Sequence, residues 1–567
     1  MTETPVLIAG GGPIGLVLAL ELEHRGIDAI LVERNLSTTR HPKMDVTNGR
    51  SMEHFRRLGI AEEIRSHGVP TDHPMSVVWC TRLAEWELAR FDYPSIDWGR
   101  DIIRYVNDGS LPLEPDLRIS QVILEPVLKG ILETRAKHIS VRFGWKLESY
   151  EQDDEGVTAI LRSSETGETE TIRALYLAGC DGAGSVTRKG LGIEYDELSV
   201  RDILRETGGI AKNVFRVAKG LVRGQRPPDG RIFLIHFRSN DLEFFERFGT
   251  AWHVQSPVGG TLIAQNDLDT WTLHLPLSAD VDAESIDPRR LLFESLGQEF
   301  GCEIIVANVW KPNLVVAKSY GSGRVWLAGD SAHQVIPTGG YGMNTGVGDA
   351  VDLGWKLAAT LKGWGGPGLL PSYEAERLPV GFRNRAASAR HAAVRTQISQ
   401  AYGPAVHEAT PKGEQARQVL GKHIQELGNL ENEALGIEIG YRYDDSPIIC
   451  QEEGDTPAYP IDRYNPSTWP GVRAPSLFLS DGTALYDRFS DGFTLLRFDD
   501  VEVSALEDAA KDRGVPIEVV DIRDELAERI YEKKLVLLRP DQHVAWRGDE
   551  CPEDPHLVVD RIRGGLG

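Results

Sequence analysis

The chain has 567 residues, 41% apolar and 26% charged, enough for two or three domains with substantial cores. Its formal net charge, 62 basic against 85 acidic residues, is −23, which argues against nucleic acid or an anionic membrane as a partner. Five scattered cysteines without a CxxC pair point to a reducing compartment and no structural metal, and no apolar run approaches the roughly 18 residues of a membrane span. With no basic leader before the first strand, a cytoplasmic protein is expected.

Val6 to Ala9 reads as a buried strand that runs into Gly10, Gly12, Pro13 and Gly15, a GxGxxG turn. A helix over Ile14–Arg25 follows, then a strand from Ala29 that ends in Glu33 and Arg34. In such a unit the first glycine makes the turn, the second admits a pyrophosphate and the third lets helix and strand pack; an acid about 20 residues on meets a ribose. The spacing predicts an amphipathic helix around Met52, Phe55, Leu58 and Ile60, preceded by Lys43 and Asp45. Residues 75–108 hold six aromatics, Trp79, Trp86, Phe91, Tyr93, Trp98 and Tyr105, which either line a pocket or fill a core.

Apolar spacing predicts a helix over Arg118–Leu132, with Gln121 in its first turn. Residues 139–163 and 170–178 read as a β-meander leading to a second strand that ends in Asp181-Gly182. Residues 200–300 alternate as an antiparallel sheet. Period two puts His236 and Arg238 on one face, and His253 and Gln255 on one face, as candidate substrate contacts. A third strand, Val325–Ala328, ends in Gly329-Asp330; a loop from Pro337 to Gly342 and a helix starting near Met343 follow. Strand, acid, glycine loop and helix N-terminus together suit a polar, anionic cofactor. Arg377, Arg383, Arg385 and Arg390 lie on a long polar helix and are assigned no chemistry. From about residue 470 short strands alternate with helices at 501–513 and 523–531.

The three strand-loop units, VLIAGGGPIG, LYLAGCDGAGSVTR and the segment 325–346, resemble in order the FAD-binding motifs of the single-component flavoprotein aromatic hydroxylases, the family of phenol hydroxylase and para-hydroxybenzoate hydroxylase. The resemblance implies an α/β fold: a Rossmann-like, glutathione-reductase-type FAD domain interleaved with a mixed β-sheet substrate domain, and a thioredoxin-like C-terminal domain without a redox CxxC. The expected division is FAD-binding 1–74, 109–190 and 301–375, substrate domain 75–108 and 191–300, helical linker 376–465 and tail 466–567. It implies that Lys43 serves the pyrophosphate, where many relatives have Arg, and Gln121 the ribityl chain or pyrophosphate. Asp181 would serve FAD and nicotinamide, and Asp330 the ribityl chain. Pro337 would lie by the ring, and the amides of Gly342, Met343 and Asn344 would face the flavin N1–C2=O edge.

The activity implied is hydroxylation of a phenolic substrate with NAD(P)H and O2 through a C4a-hydroperoxyflavin, on tightly bound FAD, without metal, in a homodimer. A base near the ring should take the phenolic proton, and Asp45, His236 and His253 are the candidates. Baeyer–Villiger oxidation or epoxidation on the same fold, or an FAD-binding protein without catalysis, stay open.

Overall fold

The computed structural model describes residues 2–197, 231–258, 260–278 and 280–566. Part of the sheet segment expected over 200–300, including residues 200–230, therefore lies outside the described residues.

An eight-stranded sheet carries the first layer. Its path runs Gly321–Ser322, Val325–Leu327, Thr169–Gly179, Thr2–Ala9, Ala29–Glu33, Ile139–Phe143, with the two meander strands attached beside Thr169–Gly179. The central strands are parallel, and their C-terminal parts, such as Val6–Ala9 and Leu177–Gly179, are buried apolar runs. Helix Pro13–His24 packs against the long helix Tyr341–Leu361, and the core there is built from Leu16, Val17, Leu18, Val347, Ala350 and Leu353 among others. Neighbouring strands in this sheet thus come from three distant parts of the chain, and their C-terminal ends bring the three glycine or acid-glycine turns together.

A seven-stranded sheet forms the second layer, in the order Glu303–Trp310, Ile232–Arg238, Thr270–Pro276, Thr261–Ala264, His253–Gln255, Val77–Cys80, Glu87–Phe91. The strand Glu303–Trp310 corrects the expected boundary at 300, because it pairs along its length with Ile232–Arg238. Alternation sorts the residues. Val254, Leu262, Leu273, Ile235 and Phe237 face the helix Pro288–Leu296 in one apolar cluster. His253, Thr272, His274 and His236 take the other face.

The tail forms a four-stranded sheet in the order Ile517–Asp521, Phe493–Arg497, Leu535–Leu538, Val544–Gly548. The first two are parallel and the rest antiparallel, the strand order of the thioredoxin fold. It docks on the first layer through buried charges. Arg539 donates to Asp352 (2.9 Å) and Glu376 (2.5 Å), and Lys356 to Asp352 (2.8 Å) and Glu376 (2.5 Å). Arg473 pairs with Glu53, and Arg50 reaches Gln542 (2.7 Å).

Of the 75–108 aromatics, Trp79, Phe91 and Tyr93 pack in one apolar cluster, while Trp98 and Tyr105 are exposed (62% and 91%) on the helix Ile96–Val106. The helix Pro371–Ala401 is not merely polar surface: Arg377 is 1% exposed and bonds Asp349.

Candidate functional site

The glycine turn behaves as three separate constraints. A Cβ on Gly10 would stand 2.2 Å from the Cys180 carbonyl oxygen, and one on Gly15 1.9 Å from the Gly10 carbonyl oxygen, so both positions are closed by packing. A Cβ on Gly12 would meet nothing within 4 Å. Open space at the N-terminus of a helix that begins with Pro13 is what an anionic group requires. Glu33 accepts a 2.8 Å hydrogen bond from the Gly11 amide, and Arg34 beside it is exposed.

Asp330 sits in a 3-10 turn, Gly329–Ser331, with its carboxylate accessible and without a hydrogen-bond partner among the described residues. Enclosure by the surrounding protein raises its pKa, against the pull of His333 and the exposed Lys43. A carboxylate left open in a concave wall fits a ligand hydroxyl. The helix behind it starts at Tyr341, two residues before the expected Met343, because Gly339 and Gly340 both take positive φ (84° and 66°) and turn the chain sharply. Gly342, Met343 and Asn344 therefore lie in the first turn, where amides lack helical partners. The Asn344 side chain is fully used as a staple. Its oxygen accepts from the Asn48 amide (3.0 Å) and Ser51 Oγ (2.7 Å), and its nitrogen donates to Gly340 O (2.8 Å) and Val46 O (3.2 Å). Pro337 is exposed in the same loop.

Two expected ligands are committed elsewhere. Asp181 caps the helix Val186–Gly190, accepting from Ser185 Oγ (2.5 Å) and the Thr187 amide (3.0 Å). Gln121 donates one N–H to Glu125 (2.6 Å), which leaves its second N–H and its oxygen. Asp349 was not singled out from sequence, although a carboxylate inside an apolar helix is a signal. It is fully buried and accepts from the Gly329 amide (3.1 Å) and Arg377 Nε (2.9 Å), and bonds His333 Nε2 (2.7 Å). Burial works against its charge, but His333 and Arg377 outweigh it and lower its pKa. It fixes the turn that presents Asp330.

The substrate candidates separate. Asp45 precedes the two-residue strand Val46–Thr47, which pairs with Leu117–Arg118. Its Oδ2 accepts from Trp252 Nε1 (2.6 Å) and meets His253 Nε2 at 3.2 Å. Burial opposes its charge, but the His253 and Trp252 hydrogen bonds, with Arg118 nearby, hold the pKa below the ordinary value. Oδ1 has no partner among the described residues. His236 lies in the same cross-strand row as His253, through Ile263 and Thr272, but three strands away, about 14 Å. Its Nδ1 sits 2.9 Å from Thr272 Oγ1, and burial lowers its pKa, so it is a neutral wall residue rather than a partner of Asp45. Arg238 is at the exposed end of its strand near Asp269, and Gln255 donates to Glu431 (2.9 Å). Sequence reasoning missed His274, Trp310 and Asn308. His274 has its pKa pushed by burial to about 4, its Nε2 is unpartnered, as is Trp310 Nε1, and the two rings meet edge to face at 5.9 Å.

The arrangement fits FAD: open space at Gly12, a free carboxylate at Asp330, an exposed lysine and an unpaired helix N-terminus face one cleft. The comparisons agree. A family model described as FAD binding domain matches residues 3–388, and one described as aromatic-ring hydroxylase, C-terminal, matches residues 467–564. The chain is 38% identical to the FAD-dependent monooxygenase apdD of Emericella nidulans, over 99% of this chain and 90% of that protein. It is 31% identical to a putative polyketide hydroxylase of Streptomyces halstedii, over 97% and 94%. Among solved structures it resembles the rebeccamycin biosynthetic enzyme RebC with reduced flavin, at TM-score 0.85 and 35% identity, covering 100% of this chain and 99% of that one. Fold, cofactor cleft and tail together identify the chain as a member of the FAD-dependent aromatic-ring hydroxylase family of flavoprotein monooxygenases.

Proposed function

We propose that this enzyme hydroxylates a phenolic ring held against the polar face of the seven-stranded sheet, with Asp45 receiving the substrate hydroxyl. The observation that carries the proposal is the open Oδ1 of Asp45, on a carboxylate whose other oxygen is fixed by Trp252 and His253. FAD, when bound, supplies the chemistry that activates dioxygen with electrons from NAD(P)H. Glu33, Lys43, Asp330 and the first amides of the helix Tyr341–Leu361 hold it. Those amides favour negative charge on the ring edge they face.

Magnitudes decide how Asp45 acts. A phenol has a pKa of about 10, some six units above an ordinary aspartate, so complete transfer in the resting complex costs at least about 8 kcal/mol. Asp45 therefore accepts a hydrogen bond and orients the ring first. As the ring carbon gains oxygen, electron density leaves the hydroxyl and its acidity rises steeply; the proton then moves to Asp45 Oδ1. His253 keeps the carboxylate in position. Two largely polar rows cross the sheet, one over four strands from His253 to His236 and one over five from Gln255 through His274 to Asn308. Five strands span about 19 Å, wider than a single ring, which favours a multi-ring substrate.

The proposal carries with it a homodimeric, cytoplasmic enzyme, and the division of the chain given above with the second substrate segment extended to Trp310. The test is aerobic NAD(P)H oxidation by the purified holoenzyme against single-ring and multi-ring phenols, with product masses read in parallel. The expected result is stimulated oxidation and one added oxygen on a ring carbon, strongest for a multi-ring phenol. Bound FAD with no phenol stimulating oxidation sinks the phenolic assignment. A holoenzyme sedimenting at one-chain mass sinks the dimer.

A further inference from the structure

The strands that present His253, Thr272 and His274 on one side present Val254, Leu273 and Leu275 on the other, and there the packing leaves a gap. A cavity of about 270 Å³ opens behind the sheet. Val254, Leu262, Leu273 and Leu275 from the strands and Leu291 and Leu296 from the helix Pro288–Leu296 form its apolar part. Val258, 52% exposed, stands at its rim. Tyr402 and His407 form one polar end, and Thr81, Arg82, Gln255, Ser256, Glu294 and Ser295 complete the polar part of the lining. Tyr402 Oη and His407 Nε2 are 2.7 Å apart, and His407 Nδ1 lies 2.5 Å from Glu85 Oε2. With Nδ1–H donating to the Glu85 carboxylate, Nε2 accepts the Tyr402 proton, and the Tyr402 oxygen keeps lone pairs for an incoming donor.

We propose that this cavity is a second ligand site, for a small neutral aromatic molecule bearing a hydroxyl. Its rings fill the aliphatic part and its hydroxyl donates to Tyr402. Size selects the ligand. An apolar cavity of about 150 Å³ takes one benzene ring, and drug-sized pockets begin near 300 Å³, so two fused rings fit. Chemistry selects it too: the aliphatic part of the wall disfavours charge, and the Tyr402 oxygen, held by His407, offers an oriented acceptor to a hydroxyl. Occupancy is felt on the flavin side, because each wall residue on the strands lies between two residues that face the substrate. A phenolic compound at this site acts as an effector of the sheet rather than as a reactant.

The test is equilibrium dialysis of 2-naphthol against the FAD-loaded enzyme, with flavin absorbance followed in the same samples. The expected result is two equivalents per flavin in the native enzyme and one in Leu291→Trp, whose indole fills the cavity. Only the equivalent retained by the variant perturbs flavin absorbance directly. This separates the rear site from the proposed reaction: if the flavin-side equivalent is absent, the variant still binds one fewer than the native enzyme. A second variant, Tyr402→Phe, keeps the shape and removes the acceptor; the rear equivalent should bind about tenfold more weakly, with FAD content unchanged. Equal stoichiometry in native enzyme and Leu291→Trp, or unaltered rear affinity in Tyr402→Phe, overturns the proposal.

Discussion

Asp45 shows how a single side chain is prepared by its neighbours: Trp252 and His253 take one oxygen, and the other, without a partner among the described residues, is the one proposed to meet substrate. Replacing it by Asn keeps the size and removes the charge. Asp45→Asn should lower hydroxylation by on the order of 100-fold with FAD content unchanged; a rate within twofold of the native enzyme would rule out the role given to it. The same carboxylate has a pH signature. Its folded pKa is depressed, so its stabilising contribution is present above the unfolded value, about 3.9, and is lost as pH falls through the folded one. Urea midpoints of the native enzyme and Asp45→Asn should differ by a constant amount from pH 7 to about 5 and converge below about 4. A gap that does not narrow at all as the pH falls below about 4 would show that the loss is one of packing. Asp45 and His253 were both readable in the sequence as polar residues in the right segments. Their pairing was not, because 208 positions separate them, and Trp310 and His274 looked like any strand residues until the register aligned them.

At the scale of the element, the glycine turn offers a sharp comparison. Gly10→Ala and Gly15→Ala both drive a methyl into backbone, so each should lower the melting temperature of the FAD-free chain. Gly12→Ala meets only open space and should leave the FAD-free melting temperature unchanged while weakening FAD binding at least tenfold. Flavin fluorescence titration beside thermal melts distinguishes the two classes, and a Gly12→Ala enzyme that binds FAD normally contradicts the cleft described here. This turn was legible because its spacing and its flanking strand and helix agree. The helix at Tyr341 was legible to within two residues; two successive positive φ values set its start, and the sequence shows only that glycines are present. Asp349 escaped notice and Arg377 was given no chemistry because their meaning lies in a contact between two helices.

On the scale of the whole molecule, the tail is bound to the cofactor layer by charge in the interior. Arg539, with no exposed surface, serves Asp352, Glu376 and Asp541 together. Arg539→Met leaves those carboxylates under-compensated, and loss of one partner in a buried pair costs about 3–5 kcal/mol. The expected outcome is a tail that proteases remove at concentrations harmless to the native enzyme, together with weaker FAD retention, since Asp352 and Lys356 lie on the helix whose first turn faces the cofactor. A protease-resistant variant with full FAD would argue that the apolar contacts suffice.

The interleaving of the first layer also has a history in time. Strand Thr2–Ala9 is made well before its neighbour Thr169–Gly179, and the next strand beyond that is Val325–Leu327. During synthesis it must wait through more than 150 residues for that partner. Charged groups that complete the joint, such as Arg539, emerge later than all three strands. Long-range pairings of this kind fold slowly. The three turns are therefore together only once the segment past Val325–Leu327 has been made, and an N-terminal piece ending before it has just part of the FAD site to offer.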